Sequence, residues 1–142
     1  MVYIPPSDGV DRFYIDRHEV TNREFTQFLQ AHGREGREIA GKEDEPVVRV
    51  SFRDATAYAN WVGKRIPTEE EWEAAAKHSL ENPDEGMGSQ YTVAAEWTDT
   101  NYAGKEDFKT IRRGVILSEP FSETAPMHVD DLNDSTTFRC AK

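Results

Sequence analysis

The sequence predicts an α+β domain, and three observations carry that expectation. Helix signals lie in the first half of the chain and irregular strand signals in the second. The two kinds do not alternate as strand–helix–strand units, which argues against a doubly wound parallel sheet. The stretch from Pro46 to Lys77 reads without interruption as strand, helix, tight turn and helix, and the remainder is organised around it.

Val2 to Ile4 and Phe13 to Ile15 are short candidate strands, separated by the turn cluster Pro5-Pro6-Ser7-Asp8-Gly9. A helix is expected next. Thr21 and Glu24 have the spacing of a capping box, with Val20 and Phe25 placed as the hydrophobic staple around it. Phe25, Phe28 and Leu29 supply its buried face, and Gly33 is its stop. Residues 34–45 are charged, carry two glycines and read as a solvated loop.

Val47, Val48 and Val50 form a β-branched run suited to a buried strand. Ser51 then offers a hydroxyl as helix cap, with the Asp54 carboxylate three positions on. Ala55, Tyr58, Ala59 and Val62 fall on one helical face, and Gly63 ends the helix. Thr68 and Glu71 repeat the capping pair, and Glu69, Glu70 and Glu71 set negative charge on the positive end of the next helix. Trp72, Ala75 and Ala76 give that helix its apolar stripe, closed by Lys77 and His78. All of this is capping and packing chemistry, so the stretch reads as scaffold.

Residues 79–90 read as loop, and Tyr91 to Asp99 as a strand entering a turn. Asn101 to Asp107 is read as irregular, Thr110 to Leu117 as a strand, residues 118–135 as a polar loop and Thr136 to Cys140 as a last alternating strand. There is no internal repeat, and residues 1–142 are expected to form one domain.

Composition narrows the function. A net charge of −10 with no basic patch argues against nucleic acid and against anionic membrane surfaces. No apolar stretch approaches the ~20 residues that span a bilayer, so no membrane insertion is expected. The N-terminal residues lack a basic region followed by an apolar run, so no signal peptide is read there. The compartment stays open, cell-surface or virion display included. Cys140 is the only cysteine, which excludes an internal disulfide, a Cys-rich zinc site and a two-thiol redox centre.

Reactive constellations are sparse. His18, His32, His78 and His128 are dispersed, without metal-ligand spacing. Asp130, Asp131, Asn133 and Asp134 offer hard oxygens but lack the glycine and distal glutamate of a calcium-binding EF-hand loop, and read as a solvated turn. Glu96 beside Trp97 is a candidate buried carboxylate, better suited to a structural hydrogen bond than to acid catalysis. Ser118 and Ser122 have no histidine at a nucleophile-like spacing.

The segments FYIDRHEVTNREFTQFL, PVVRVSFRDATAYANWVGKRIPTEEEWEAAAK, AEWTD and the terminal FRCA, in this order, resemble the formylglycine-generating enzyme, or sulfatase-modifying factor, family. The resemblance implies a C-type lectin-like fold: two main helices packed on a small twisted antiparallel sheet, with long irregular loops. It places the helices at Thr21 to Ala31 and Phe52 to Val62, with the helix from Glu69 as a shorter companion. The opening VYI strand is expected near the closing FRCA strand. Members that act as enzymes carry a cysteine pair that holds copper after an Arg-Gly-Gly-Ser-Trp-like motif. Here that position reads Arg112-Arg113-Gly114-Val115-Ile116-Leu117-Ser118-Glu119, and Cys140 matches the packing cysteine of the closing strand. The segment Thr92-Val93-Ala94-Ala95 stands where relatives have Gly-Asn-Val-Trp, so no calcium site is expected there.

The expected function is therefore a non-catalytic, ligand-binding display module for a protein or another macromolecule, with no cofactor and no metal. It resembles the variable proteins of diversity-generating retroelements, which vary between the Arg-Gly-Gly-like strand and the closing Phe-Arg-Cys. The expected recognition surface is residues 115–135, through Val115, Ile116, Leu117, Ser118, Glu119, Phe121, His128, Asp130, Asp131 and Asn133. Met127 joins the apolar part of that mixed surface. If residues 115–117 form a strand, Val115 and Leu117 face one side and Ile116 the other, so part of the set fills the core. Two alternatives stand beside it: a sensor or interaction domain of a bacterial serine/threonine kinase, and a divergent metal-dependent oxidoreductase of the same family.

Overall fold

Local capping decides where the three helices begin. In a computed structural model that describes residues 1–88, 95–113 and 123–142, helix α1 (Asn22–Ala31), α2 (Phe52–Trp61) and α3 (Glu69–Glu81) each open on a reciprocal capping box. Thr21 with Glu24, Ser51 with Asp54 and Thr68 with Glu71 satisfy first-turn amides that have no partner within the helix. Gly33 and Gly63 follow α1 and α2 at φ 67° and 71°, the left-handed geometry that releases the chain from a helix.

Strands β1 (Val2–Ile4) and β2 (Phe13–Ile15) pair antiparallel as a ribbon. A second sheet holds β3 (Ala95–Tyr102), β4 (Lys105–Arg113), β5 (Glu123–His128) and β6 (Thr136–Thr137), in the order β5-β4-β3-β6. Its β3–β4 and β4–β5 pairs are antiparallel, whereas β3–β6 is parallel. Among the described residues the architecture is α+β, with three helices and a mixed sheet in place of the antiparallel one expected.

Two apolar clusters lie between these layers. One packs Phe25, Phe28 and Leu29 of α1 and Ala55, Tyr58 and Ala59 of α2 against Trp97, Ile111 and Phe138. The other packs the inward face of the ribbon on Trp72, Ala75 and Ala76 of α3. Trp97 is fully buried, and its indole N–H donates to the Val50 carbonyl at 2.9 Å, so the ring is polar-satisfied inside the core.

Several expectations are corrected. Val47 and Val50 are fully buried, but no strand forms there: Arg49 between them sits at φ 57° and reverses the extended run. Helix α3 does not close at Lys77 and His78. It continues to Glu81 and, at 13 residues, is longer than α1 and α2 at 10 each. Ser79 holds that extra turn, bonding the Ala75 carbonyl at 2.7 Å and accepting the Met87 amide at 2.7 Å.

Residues 101–107 are not a loop; Ala103 and Gly104, at φ 49° and 72°, make a tight hairpin between β3 and β4, and the irregularity lies in register shifts at Asn101 and Tyr102. Strand β5 lies within the expected loop. Only Met127 of it is buried, so its apolar alternation is too weak to read, and Pro126 is tolerated because β5 ends the sheet order. The closing residues Thr136 to Cys140 are all buried and do not alternate, because both faces of that segment are covered. Residues 34–45 are not wholly solvated: Asn22 donates to the carbonyls of Ala40 and Lys42, and Arg37 pairs with Asp54 at 2.9 Å.

The closing segment lies beside β2, and only through it beside β1. Tyr14 and Lys142 exchange two backbone hydrogen bonds of 2.8 Å, and the Asp16 amide donates to the Cys140 carbonyl.

Candidate functional site

A buried ion pair fixes the closing segment to the sheet. Arg139 lies in the core without solvent exposure; its Nε and Nη2 donate to Oε2 and Oε1 of Glu96 at 2.8 and 2.6 Å. Trp72 Nε1 donates to the same Glu96 Oε2 at 2.8 Å, and Glu19 stands 3.5 Å from Arg139 Nη2. Arg139 Nη1 reaches the carbonyls of Asp16, Arg17 and Gly88. Burial alone would lower the Arg139 pKa; the Glu96 and Glu19 carboxylates outweigh it and hold the guanidinium charged. Glu96 is thus the structural carboxylate expected, a charge balanced in place with no open side.

Cys140 is fully buried. Burial first, and then the Asp16 carboxylate, pushes its thiol up to about 12, so the proton stays on sulfur at neutral pH. Asp16 is bound by Lys64 Nζ at 2.6 Å and accepts the Cys140 amide at 3.3 Å. Among the described residues, no group of three or more His, Cys, Asp or Glu side chains converges to hold a metal ion.

Of the residues expected to recognise a ligand, Val115, Ile116, Leu117, Ser118, Glu119 and Phe121 lie outside the described residues. The other four fall together on one turn. His128 ends β5, and its carbonyl accepts the Asp131 amide at 3.0 Å, which folds the chain back. The Asp130 amide donates to His128 Nδ1 at 3.2 Å, which ties the edge of the ring to the turn. Asn133 Oδ1 accepts from both the amide and the hydroxyl of Ser135 at 2.7 Å. Asp130, Asp131 and Asn133 are exposed and His128 is half-buried, whereas Met127 is buried in the first apolar cluster and is no part of the surface.

The turn is braced from below. Arg53, on the first turn of α2, pairs with Asp130 at 2.7 Å, and Arg49 pairs with Asp134 at 2.8 Å. Phe108 meets the His128 ring edge-on at 5.3 Å, and Leu132 is 61% exposed within the acidic run. Beside Arg53 runs a groove of about 410 Å³ floored by Phe52, Ala57 and Val129, with Lys109 and Glu106 on its rim. Sequence reading missed Phe108, Leu132 and Arg53. Leu132 carried a signal, as the lone apolar residue between Asp131 and Asn133; Arg53 carried none, because its partner lies 77 positions away.

The arrangement presents an aromatic pair and one leucine among carboxylates, amides and paired arginines. Ion pairs this exposed restrain their side chains only weakly. A rim of this composition suits macromolecular contact.

Comparison with known proteins identifies the family of the chain. A family model described as the sulfatase-modifying factor enzyme 1-like domain matches residues 6–134. A formylglycine-generating enzyme of Streptomyces coelicolor is 44% identical over 90 residues, covering 63% of this chain and 29% of the enzyme. Serine/threonine-protein kinase Pkn1 of Chlamydia trachomatis serovar L2 is 38% identical over 86 residues, covering 45% of this chain and 14% of the kinase. The chain thus spans under a third of the length of either relative. The solved structure of PvdO from Pseudomonas aeruginosa superposes with a TM-score of 0.69 over 99% of this chain and 90% of that one, at 18% identity, a likeness of fold alone.

Proposed function

The chain belongs to the sulfatase-modifying factor enzyme 1-like family, and from that premise we propose that it is a non-catalytic binding module for a protein or another macromolecule. One observation carries the reading. The copper chemistry implied by resemblance to the enzymes takes two thiolates, and this chain holds one cysteine, Cys140, buried and protonated. The donor set does not fit a soft Cu(I) site, and no step is routed through one.

In this reading residues 1–142 are one domain of C-type lectin-like build, and the recognition surface is the segment 115–135. Its described part is the turn of His128, Asp130, Asp131 and Asn133, with Phe108 and Leu132 as apolar anchors. A scaffold closed by buried pairs, with the polar turn of His128 to Asn133 at its surface, supports the further likeness to variable proteins of diversity-generating retroelements. The match to a kinase over 86 residues favours a second reading, an interaction domain fixed in sequence and attached to a signalling enzyme.

Two measurements test this. Anaerobic Cu(I) titration followed by oxygen uptake with a cysteine-containing peptide is expected to show no stoichiometric copper and no oxidation; tight copper with turnover would overturn the reading. Peptides selected by display on the native protein are expected to lose binding when His128, Asp130, Asp131 and Asn133 are all replaced by alanine. Sequencing the locus in sibling isolates then separates a display protein, varied between Arg113 and Phe138, from a fixed signalling domain.

A further inference from the structure

A second surface, on other elements, has the features of a peptide-docking edge. In the ribbon, Val2, Ile4, Phe13 and Ile15 turn inward, while Tyr3 and Tyr14 face out, 46% and 48% exposed. The two phenols oppose each other in register, with ring centroids 5.5 Å apart and planes tilted by 57°. Together with Arg12, Phe13 and Lys142 they line a cleft of about 610 Å³. Among the described residues its charged lining side chains are the two cations, on a chain of net charge −10. Asp8 and Asp11 line the neighbouring cleft instead, with Arg12 between the two.

The hydrogen-bond register adds a second feature. Both backbone groups of Tyr14 are used by Lys142. The directly opposed Tyr3–Tyr14 pair is therefore the kind that exchanges no ladder bonds. By alternation, the N–H and C=O of Tyr3 point away from β2, to the side of β1 that has no neighbouring strand among the described residues. A backbone donor and acceptor, two aromatic rings and two cations thus share one edge.

We propose that this edge docks an extended acidic polypeptide segment. The segment adds beside β1, exchanging backbone hydrogen bonds with Tyr3, and alternate side chains reach the ribbon's outer face. There an apolar side chain settles between the tilted phenols, while carboxylates on the same face meet Arg12 and Lys142. A polypeptide is favoured over other polyanions because only a backbone can use the Tyr3 groups.

The test uses the ¹⁵N-labelled full chain and a capped peptide, Glu-Thr-Val-Thr-Glu, whose valine and glutamates share one strand face, with the lysine analogue and dextran sulfate as comparisons. Binding of the glutamate peptide is expected to shift the Tyr3 amide resonance and slow its hydrogen exchange. Exchange of the Tyr14 amide, already bonded to Lys142, stays as it was. Arg12→Glu with Lys142→Glu is expected to weaken the glutamate peptide by about tenfold or more and to admit the lysine analogue. Tyr3→Ala, at an exposed position, is expected to weaken the glutamate peptide while leaving the fold intact. The proposal fails if the glutamate peptide does not bind at millimolar concentration, or if it binds with Tyr3 exchange unchanged. It fails equally if dextran sulfate reproduces the whole pattern, which would mark a general polyanion site.

Discussion

Arg139 meets Glu96 through two parallel hydrogen bonds of 2.8 and 2.6 Å, with both side chains sealed from solvent. The pair joins the closing segment to β3, and Trp72 joins it to α3. Removing one partner leaves the other charge buried and uncompensated. Arg139→Met and Glu96→Gln are each expected to lower stability by about 3–5 kcal/mol in urea unfolding. The double variant should lose less than the sum of the two, because both single changes damage one shared interaction.

Cys140 is expected to resist thiol reagents in the folded state and to be labelled only as fast as the protein opens. Its folded pKa is raised to about 12 from an ordinary 9.0, so between those values the folded state holds a proton that the unfolded state has released. The contribution to stability is full below pH 9 and is lost as pH rises toward 12. Denaturation midpoints of wild type and Cys140→Ala should differ in their pH dependence across that window. Labelling at neutral pH that outpaced global unfolding would contradict the buried thiol.

Asp54 titrates at the acidic end. Burial would raise its carboxyl, but Arg37 and the Ser51 amide outweigh burial and leave it below its ordinary 3.8. A depressed carboxyl contributes stability above its unfolded pKa and loses it as pH falls through the folded one. Asp54→Asn is expected to destabilise the neutral protein by about 1–2 kcal/mol, through the cap and the lost ion pair. Wild type and variant should converge as pH falls below 3.8, which thermal melts across an acid series would show.

Gly86 is held against α3. A Cβ there would lie 2.5 Å from the Ser79 Cα, a backbone atom that cannot swing aside. Gly86→Ala is expected to cost about 1–3 kcal/mol as the chain shifts from the helix, and to speed hydrogen exchange at the Met87 amide now held by Ser79.

Arg53→Ala and Asp130→Ala each break an ion pair with both members more than half exposed. Stability should change by less than about 1 kcal/mol. A loss of ligand binding in either variant, with the melt unmoved, is then attributable to the surface itself.

Legibility followed the range of the interaction. The three capping boxes involve residues three apart, and each is present on the residues read from the sequence. Strand β5 depends on pairing with β4, and its single buried residue, Met127, gives no periodicity to detect. The place of Arg139 left no local signal. An arginine in an alternating segment reads as facing water, yet its carboxylate partner sits 43 positions away and draws it into the core. The polar turn at Asp130 to Asn133 was visible in composition, while the aromatic contact of Phe108 with His128 appears only when two strands lie side by side.

The bonding of Asp16 to Cys140, 124 positions apart, has a consequence for the nascent chain. As synthesis proceeds, helices can form early, but β2 and Glu96 must wait for Arg139, Cys140 and Lys142, which are made after all three helices. Such distant closure favours slow, late consolidation. Until that segment has been made and has left the ribosome, the polypeptide keeps its caps with its centre unfilled, open to proteases and chaperones.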